Sequence, residues 1–176
     1  MRRIFPIVTM GFLISIALFF FIKDKTIVAP KSLSTTAFVL YVIDGDTMDV
    51  VIDGKKERVR LIGIDAPEVE YEEKRADCFA NQATEALKTI INGNTVSLVS
   101  DPTQSDRDSY SRLLRYIFLT DGTNVNKLMI SKGYAYEYTY LGIPYQYQKD
   151  FQEAELGAKE NKIGIWAEGI CPVMIQ

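Results

Sequence analysis

Histidine is absent from this 176-residue chain, and cysteine and tryptophan are scarce, with two residues and one residue respectively. Imidazole is the commonest metal ligand and general base near neutral pH, so its absence excludes histidine-based catalysis. Two cysteines without a histidine also make a poor tetrahedral zinc site. Acid–base chemistry or metal binding in this chain therefore falls to carboxylates.

A broad basic surface is missing as well. From Ala37 onward, 15 lysines and arginines face 22 aspartates and glutamates, which gives a net charge of −7. Proteins that hold nucleic acid through an extended basic face carry the opposite sign. If this chain binds a polyanion, it must grip it locally.

The N-terminal segment is strongly apolar. Residues 4–22 contain no charged side chain, and 19 helical residues at about 1.5 Å each approach the ~30 Å core of a bilayer. We predict a membrane anchor or signal sequence at residues 1–25, a tether at 26–36, one domain at 37–171 and a tail at 172–176. Arg2 and Arg3 before the run predict a single-pass protein with a cytoplasmic N-terminus and an exported domain at the cell membrane. The alternative is a secreted domain, released by signal cleavage near Ala37.

The two cysteines are Cys78 and Cys171. In an exported domain an isolated pair forms a disulfide more often than two free thiols. The sequence therefore predicts a bridge between the start of a helix and the C-terminal tail.

Alternating and helical patterns divide the domain into short elements. Strands are predicted at residues 37–43, 48–52, 57–64, 95–100 and 112–119, and Asp53-Gly54 is a hairpin signal. Helices are predicted at residues 79–91, at a short segment that contains Val125, Leu128 and Met129 and is closed by Gly133, and at 148–161. The fold class is α+β but mainly β. Five short strands with about three helices predict a five-stranded Greek-key barrel of the oligonucleotide-binding (OB) type, preceded by a transmembrane helix.

The stretch from Arg60 to Glu68, Arg-Leu-Ile-Gly-Ile-Asp-Ala-Pro-Glu, holds one cation and two carboxylates. In a continuous strand, Arg60 and Ile64 lie on one face and Asp65 on the other, because side chains alternate. Pro67 ends the ladder, so Asp65 and Glu68 are expected at the mouth of a site. A solvated acidic turn is the alternative.

Four carboxylates and two guanidinium groups are expected near the strand ends, namely those of Asp44, Asp46, Asp65, Glu68, Arg60 and Arg112. Oxygen ligands suit calcium or magnesium, and the arginine fork suits phosphate. The six groups sum to a net charge of −2, so one divalent ion would let an anionic substrate enter. Taken singly, the aspartates indicate a hairpin turn and the arginines surface ion pairs.

Three segments together resemble the staphylococcal nuclease (thermonuclease) family. They are Ile43-Asp44-Gly45-Asp46-Thr47, the stretch from Arg60 to Glu68, and Asp108-Ser109-Tyr110-Ser111-Arg112. Val125-Asn126 with Gly133, and Ile163-Gly164-Ile165-Trp166, extend the likeness, which covers residues 37–166.

The resemblance implies a calcium-dependent phosphodiesterase on an OB barrel, which cuts DNA and RNA to leave 3′-phosphates. Carried over by position, the metal ligands are Asp46, Asp65 and the backbone carbonyl of Ala66, supported by Asp44 and Thr47. The implied catalytic residues are Arg60, Glu68 and Arg112, and the implied substrate contacts are Tyr110, Tyr138 and Tyr140. Glu68 would orient or deprotonate water, and the arginines would hold the phosphate and its transition state. No protein partner is implied, and a monomer is expected.

This sequence departs from the family pattern at three places. Ser109 and Ser111 replace a lysine and a glycine, which removes one phosphate contact and strains the turn if Ser111 needs a positive φ. Ala66 replaces a threonine, but the role implied at this position uses only the backbone carbonyl. A gap-free register puts Thr139 and Leu141 where stacking tyrosines are expected, one residue from Tyr138 and Tyr140.

Two other functions fit parts of the sequence. A catalytically inactive OB module that binds nucleic acid or protein is one, although degenerate modules usually lose the carboxylates or the arginines. A membrane-anchored structural domain with solvated acidic turns is the other. The net charge of −7 disfavours a passive nucleic-acid binder.

Overall fold

A computed structural model of the chain describes residues 33–70 and 75–171. The predicted anchor at 1–25, most of the tether and the tail at 172–176 lie outside the described residues. Among the helices of the described ranges, none is long and apolar enough to span a bilayer.

Five strands form a closed barrel in the order β1-β2-β3-β6-β5. They are β1 (Ser34–Val42), β2 (Thr47–Ile52), β3 (Lys55–Leu61), β5 (Thr95–Val99) and β6 (Leu113–Phe118). All neighbours pair antiparallel except β3 and β6, which are parallel, and β1 closes the barrel on β5. The prediction of a mainly β, five-stranded barrel is confirmed.

Alternation along the strands explains the barrel interior. The pleat sends alternate residues of each strand inward, and most of these residues are apolar. The inward-facing residues include Ala37, Val39, Met48, Val50, Val59, Leu61, Val96, Leu98, Leu113 and Ile117.

Three helices cover the barrel, as predicted: α1 (Ala80–Ile91), α2 (Val125–Ser131) and α3 (Gln148–Glu160). The buried face of α1 carries Leu87 and Ile91, and α2 buries Met129 and Ile130. Cys78 and Cys171 form a disulfide, the pairing expected from the sequence, and it joins the start of α1 to the C-terminal end of the domain.

Two strand boundaries differ from the predictions by three residues, and the other strand boundaries by one or two at most. β1 begins at Ser34, inside the predicted tether, because Ser34 pairs with Val99 of β5. The third strand does not run to Ile64. It ends at Leu61, and Ile64–Asp65 forms a separate strand, β4, which pairs with β7 (Tyr136–Glu137).

Gly63 separates β3 from β4. Its φ is +76°, and a Cβ there would lie 2.6 Å from the Tyr145 ring and 2.9 Å from Phe151. Both the turn and the close approach therefore require glycine. This break cancels the predicted alternation across residues 60–65 and turns Asp65 back toward Arg60.

Candidate active site

Asp46 is held at the start of β2 by a tight turn. The Asp44 carboxylate accepts a hydrogen bond of 3.0 Å from the Asp46 backbone N–H. A Cβ on Gly45 would lie 2.6 Å from the Ala66 Cβ and 2.9 Å from the Ala83 Cβ, so the turn packs directly against α1 and the residue that follows β4. Asp44 thus supports the turn that precedes the buried Asp46.

The Asp46 carboxylate is almost fully buried, with 3% of the residue exposed. Oδ1 accepts a hydrogen bond of 2.9 Å from the Thr47 hydroxyl, and Oδ2 accepts one of 2.8 Å from the Ala66 N–H. Arg60 Nη1 lies 2.8 Å from Oδ2. Burial raises the pKa of Asp46 to about 7, against the opposing pull of the Arg60 guanidinium.

Arg60 bridges the two aspartates predicted to bind metal. Its Nη2 donates to Asp65 Oδ1 at 2.9 Å, and its Nη1 donates to the Ile64 carbonyl at 2.9 Å. The turn at Gly63 makes this possible, because it brings β4 back beside the end of β3. Asp46 and Asp65, 19 residues apart in sequence, therefore share one guanidinium group.

The donor type fits a hard cation, since Asp46 and Asp65 each present a carboxylate oxygen to the same guanidinium group. The wider gathering of four carboxylates is not seen. Within residues 33–70 and 75–171, no group of three or more acidic or cysteine side chains lies close enough together to hold a metal. Ala66 contributes its N–H to Asp46.

Glu68 lies on the exposed loop that follows β4, and its side chain lines the cleft described below. Its backbone is clamped by Asp77. The Glu68 N–H donates to Asp77 Oδ2 at 3.1 Å, and the Asp77 N–H donates to the Glu68 carbonyl at 2.8 Å. Asp77 directly precedes the disulfide-bonded Cys78, so the bridge lies next to this clamp.

Arg112 reaches the same region from the start of β6. Its Nε donates to Asp108 Oδ2 at 2.6 Å, and its Nη1 donates to the Thr47 hydroxyl at 3.5 Å. Asp108 also accepts from the N–H groups of Tyr110 and Arg112 and so holds the loop. Ser111 has a φ of +62°, the strained conformation expected from its replacement of glycine.

One cleft of about 710 Å3 unites most of these groups. Among the site residues predicted from the sequence, it is lined by Arg60, Asp65, Glu68, Tyr110, Arg112, Tyr138 and Tyr140. Asp46 and Thr47 are buried and contact the two arginines that line it. Arg112 and Glu68 therefore lie on the same side of the barrel as Asp46.

The tyrosines at the cleft are placed by β7 and the 3-10 turn Tyr140–Gly142. The Tyr138 N–H donates to the Gly63 carbonyl at 3.1 Å, and the Tyr138 and Tyr140 ring centroids are 6.3 Å apart. Thr139 instead bonds Glu137 and Gln148. The local fold thus brings Tyr138 and Tyr140 to the cleft wall in place of Thr139. Tyr110 is 80% exposed, and the Arg112 guanidinium lies 5.4 Å from its ring centroid.

Sequence reasoning missed the roles of three residues that hold the site together. Asp108 fixes Arg112, Asp77 fixes the Glu68 backbone, and buried Asn126 donates to the Ile62 carbonyl at 2.9 Å beside the Gly63 turn. Of the three, only Asp108 could have been assigned its role from local sequence, since it precedes Arg112 by four residues in a turn-forming segment.

Comparison with known proteins agrees with this geometry. Residues 58–168 match the model of the family described as staphylococcal nuclease homologue. An uncharacterized endonuclease of Escherichia coli O157:H7 is 34% identical over 132 residues, which cover 74% of this chain and 76% of that protein. A thermonuclease of Staphylococcus hyicus is 32% identical over 73% of this chain and 74% of that protein. A micrococcal nuclease of Shigella flexneri is 29% identical over 74% and 72%.

A small five-stranded barrel with a surface cleft lined by carboxylates and arginines is typical of proteins that bind phosphate esters. The match over most of the domain makes the assignment specific: the chain belongs to the staphylococcal nuclease family.

Proposed function

We propose that this chain is a calcium-dependent endonuclease that hydrolyses DNA and RNA to 3′-phosphates. Its family makes it a nuclease, a hydrolase of phosphodiester bonds. The single observation that carries the proposal is the cleft, which is lined by Arg60, Asp65, Glu68 and Arg112, with Asp46 buried beside Arg60.

Asp46 and Asp65 would hold the calcium ion. Both are carboxylates bound to the same guanidinium group, and burial disfavours the charged form of Asp46. Negative charge at this point is therefore incompletely compensated by the protein alone. A divalent ion held by these two carboxylates would supply that compensation and Lewis-acid chemistry toward the phosphodiester.

Arg60 and Arg112 would bind the phosphodiester. Both line the cleft, and the planar fork of N–H donors on each guanidinium group matches the geometry of phosphate oxygens. Arg60 would hold the scissile phosphate, and Arg112 would stabilise the extra charge of the five-coordinate transition state. The Asp108 carboxylate and the Thr47 hydroxyl fix the orientation of Arg112 before the substrate arrives.

Glu68 would orient or deprotonate the attacking water. Glu68 is an acidic residue that lines the cleft, and the chain offers no imidazole for this role. Tyr110, Tyr138 and Tyr140 would contact the bases and the terminal phosphate, where stacking typically contributes about 1–3 kcal/mol per base.

The test uses the purified full chain and supercoiled plasmid DNA. Nicking is expected with calcium and is expected to stop when a chelator is added. Glu68→Gln and Arg112→Ala should each lower the rate by about 10²-fold or more. Glu70→Gln, two residues along the same loop, is the matched control and should retain activity. Intact DNA in calcium, from protein that is folded by circular dichroism, would instead favour the inactive binding module.

Product ends and substrate range require a separate measurement. A labelled single strand of DNA and one of RNA should both yield fragments that a 3′-phosphatase converts to 3′-hydroxyl ends. Fragments carrying 5′-phosphates would contradict the proposed bond cleavage.

We also propose that the domain is exported and tethered at the cell membrane. The apolar run at residues 4–22 supports the tether, and a disulfide between the two cysteines of the chain suits an oxidising compartment. Cell fractionation with an antibody to the domain should find it in the membrane fraction, accessible to protease from outside. Recovery from the cytosol, with both thiols free, would contradict this.

A further inference from the structure

The cations of the cleft continue along the outside of β3. Lys56, Arg58 and Arg60 alternate along this strand and share its outer face, opposite Val51, Asp49 and Thr47 of β2. Successive members are therefore about 6.6–6.8 Å apart along the strand. Arg60 ends this row inside the cleft, so the row leads away from the site of cleavage.

Lys56 and Arg58 lie over a buried carboxylate. Asp49 Oδ2 is 2.8 Å from Lys56 Nζ, and Asp49 Oδ1 is 2.8 Å from Arg58 Nε, while the Asp49 side chain is 1% exposed. About half of each cationic side chain remains accessible. An approaching anion would meet the two cations and not the carboxylate, and their sum with Asp49 is +1.

Two aromatic side chains stand beside these cations on β1. Tyr41 pairs with Asp49 in register, Phe38 pairs with Val51, and both residues are nearly half exposed. Lys56 Nζ lies 5.0 Å from the centroid of the Tyr41 ring. Exposed aromatic rings together with nearby cations are a feature with which proteins hold single-stranded nucleic acid, because bases stack on the rings while phosphates pair with the cations.

We propose that Phe38, Tyr41, Lys56 and Arg58, here called the platform, bind the part of a single-stranded nucleic acid that extends beyond the scissile phosphate. This inference rests on the proposed function and extends it from the cleft to the outer face of the barrel. Continuity with Arg60 on the same strand face favours a nucleic acid as the occupant. Charge favours it too, since the platform is cationic within a domain of net charge −7.

The test compares a short and a long substrate in the full chain. In Tyr41→Ala/Lys56→Gln, Arg58 still compensates Asp49, so the fold is expected to survive. For a 20-nucleotide single strand, KM should rise about tenfold or more, given the usual value of a stacked base. For a dinucleotide, which is too short to extend from the cleft along the whole platform, kcat and KM should stay within about twofold. Lys149→Gln, on α3 outside the platform and cleft, is the control and should change neither.

Salt dependence provides a second readout. Loss of one phosphate contact should reduce the slope of log affinity against log salt by about 0.7 for the 20-nucleotide strand, measured by fluorescence anisotropy in chelator. This measurement does not need catalysis. If the wild type binds the strand through the platform but cuts nothing, the proposed function fails and the platform stands.

Three results would overturn the inference. The first is an unchanged KM and affinity for the long strand in the double variant. The second is an equal loss on both substrates, which would mean damage to the cleft. The third is unchanged strand binding together with lost sedimentation on phosphatidylserine vesicles, which would assign the platform to a lipid surface.

Discussion

Two buried aspartates, Asp46 and Asp101, show how differently one side chain is used in this barrel. Asp46 directly precedes β2 and is 3% exposed, whereas Asp101 follows β5 and is 4% exposed. Asp101 accepts from the backbone N–H and hydroxyl of Thr103, both at 2.8 Å, from the Gln146 N–H at 2.7 Å and from the Tyr116 hydroxyl. Asp46 accepts two neutral hydrogen bonds and shares Arg60 with Asp65.

The pKa values of the two carboxyls move in opposite directions. Burial pushes the pKa of Asp101 up, but hydrogen bonds from Gln146, Tyr116 and Thr103 outweigh it and hold the pKa below its usual range. At Asp46 burial prevails, and the pKa rises to about 7. Four donors satisfy the charge of Asp101, whereas Asp46 has two neutral donors and one guanidinium group that it shares with Asp65. In the proposed function, a divalent cation would supply the remaining compensation at Asp46.

Replacement of Asp46 tests this contrast most strongly. Asp46→Asn should lower the calcium-dependent cleavage rate by about 10³-fold, because a metal ligand is lost. The free energy of unfolding in chelator should change little, since Arg60 keeps Asp65 as partner. Initial rates on plasmid DNA and urea melts measure both. Wild-type activity in Asp46→Asn would contradict the assignment of this residue to the metal.

The same change at Asp101 should have the reverse effect. Asp101→Asn loses charge-assisted hydrogen bonds and leaves a buried polar group incompletely satisfied, so unfolding should become easier by about 2–3 kcal/mol. The rate per folded molecule at low temperature should stay within a few-fold of the wild type. A larger rate loss without destabilisation would erase the contrast between the two aspartates.

A third aspartate, Asp77, is exposed and acts through the backbone of Glu68. Asp77→Ala should lower kcat by about tenfold with KM nearly unchanged, since small displacements of a catalytic group are costly. In the Glu68→Gln background the same change should have no further effect. Asp121→Ala, which removes a similar carboxylate bond to the Thr123 N–H away from the cleft, is the control. Additive losses in the double variant would mean that Asp77 acts independently of Glu68.

The pH dependence of stability gives the smallest effect. Because the pKa of Asp101 is lower in the folded than in the unfolded chain, its contribution is present above the unfolded pKa of about 4 and disappears as pH falls through the folded value. The stability difference between wild type and Asp101→Asn should therefore narrow between pH 5 and pH 3. Urea melts at several pH values measure it, and a difference that widens on acidification would contradict the sign.

The barrel was predictable because its signals are local. Alternation marks the strands, Asp53-Gly54 marks the hairpin, and the helical period marks α1. The exit from β3 was not predictable in this way. Gly63 breaks that strand because Tyr145 and Phe151, some 80 residues later, leave room only for a glycine.

The candidate site likewise has parts that could be recognised from local sequence and parts that could not. The carboxylates and arginines were recognisable from their types and spacing, and Ser111 was expected to strain its turn. Their supports were not recognisable, because Asp77, Asn126 and Asp108 act through backbone groups or neighbours that only the folded chain brings together.

The edge where β1 meets β5 closes the barrel with five register pairs, beginning at Ser34 with Val99 and ending at Phe38 with Thr95. A protease that released the domain by cutting after Ala37 would remove four of those five pairs and leave the barrel open between β1 and β5. Maturation that preserves a working enzyme must therefore spare this strand, and any truncated version made in the laboratory should begin upstream of Leu33.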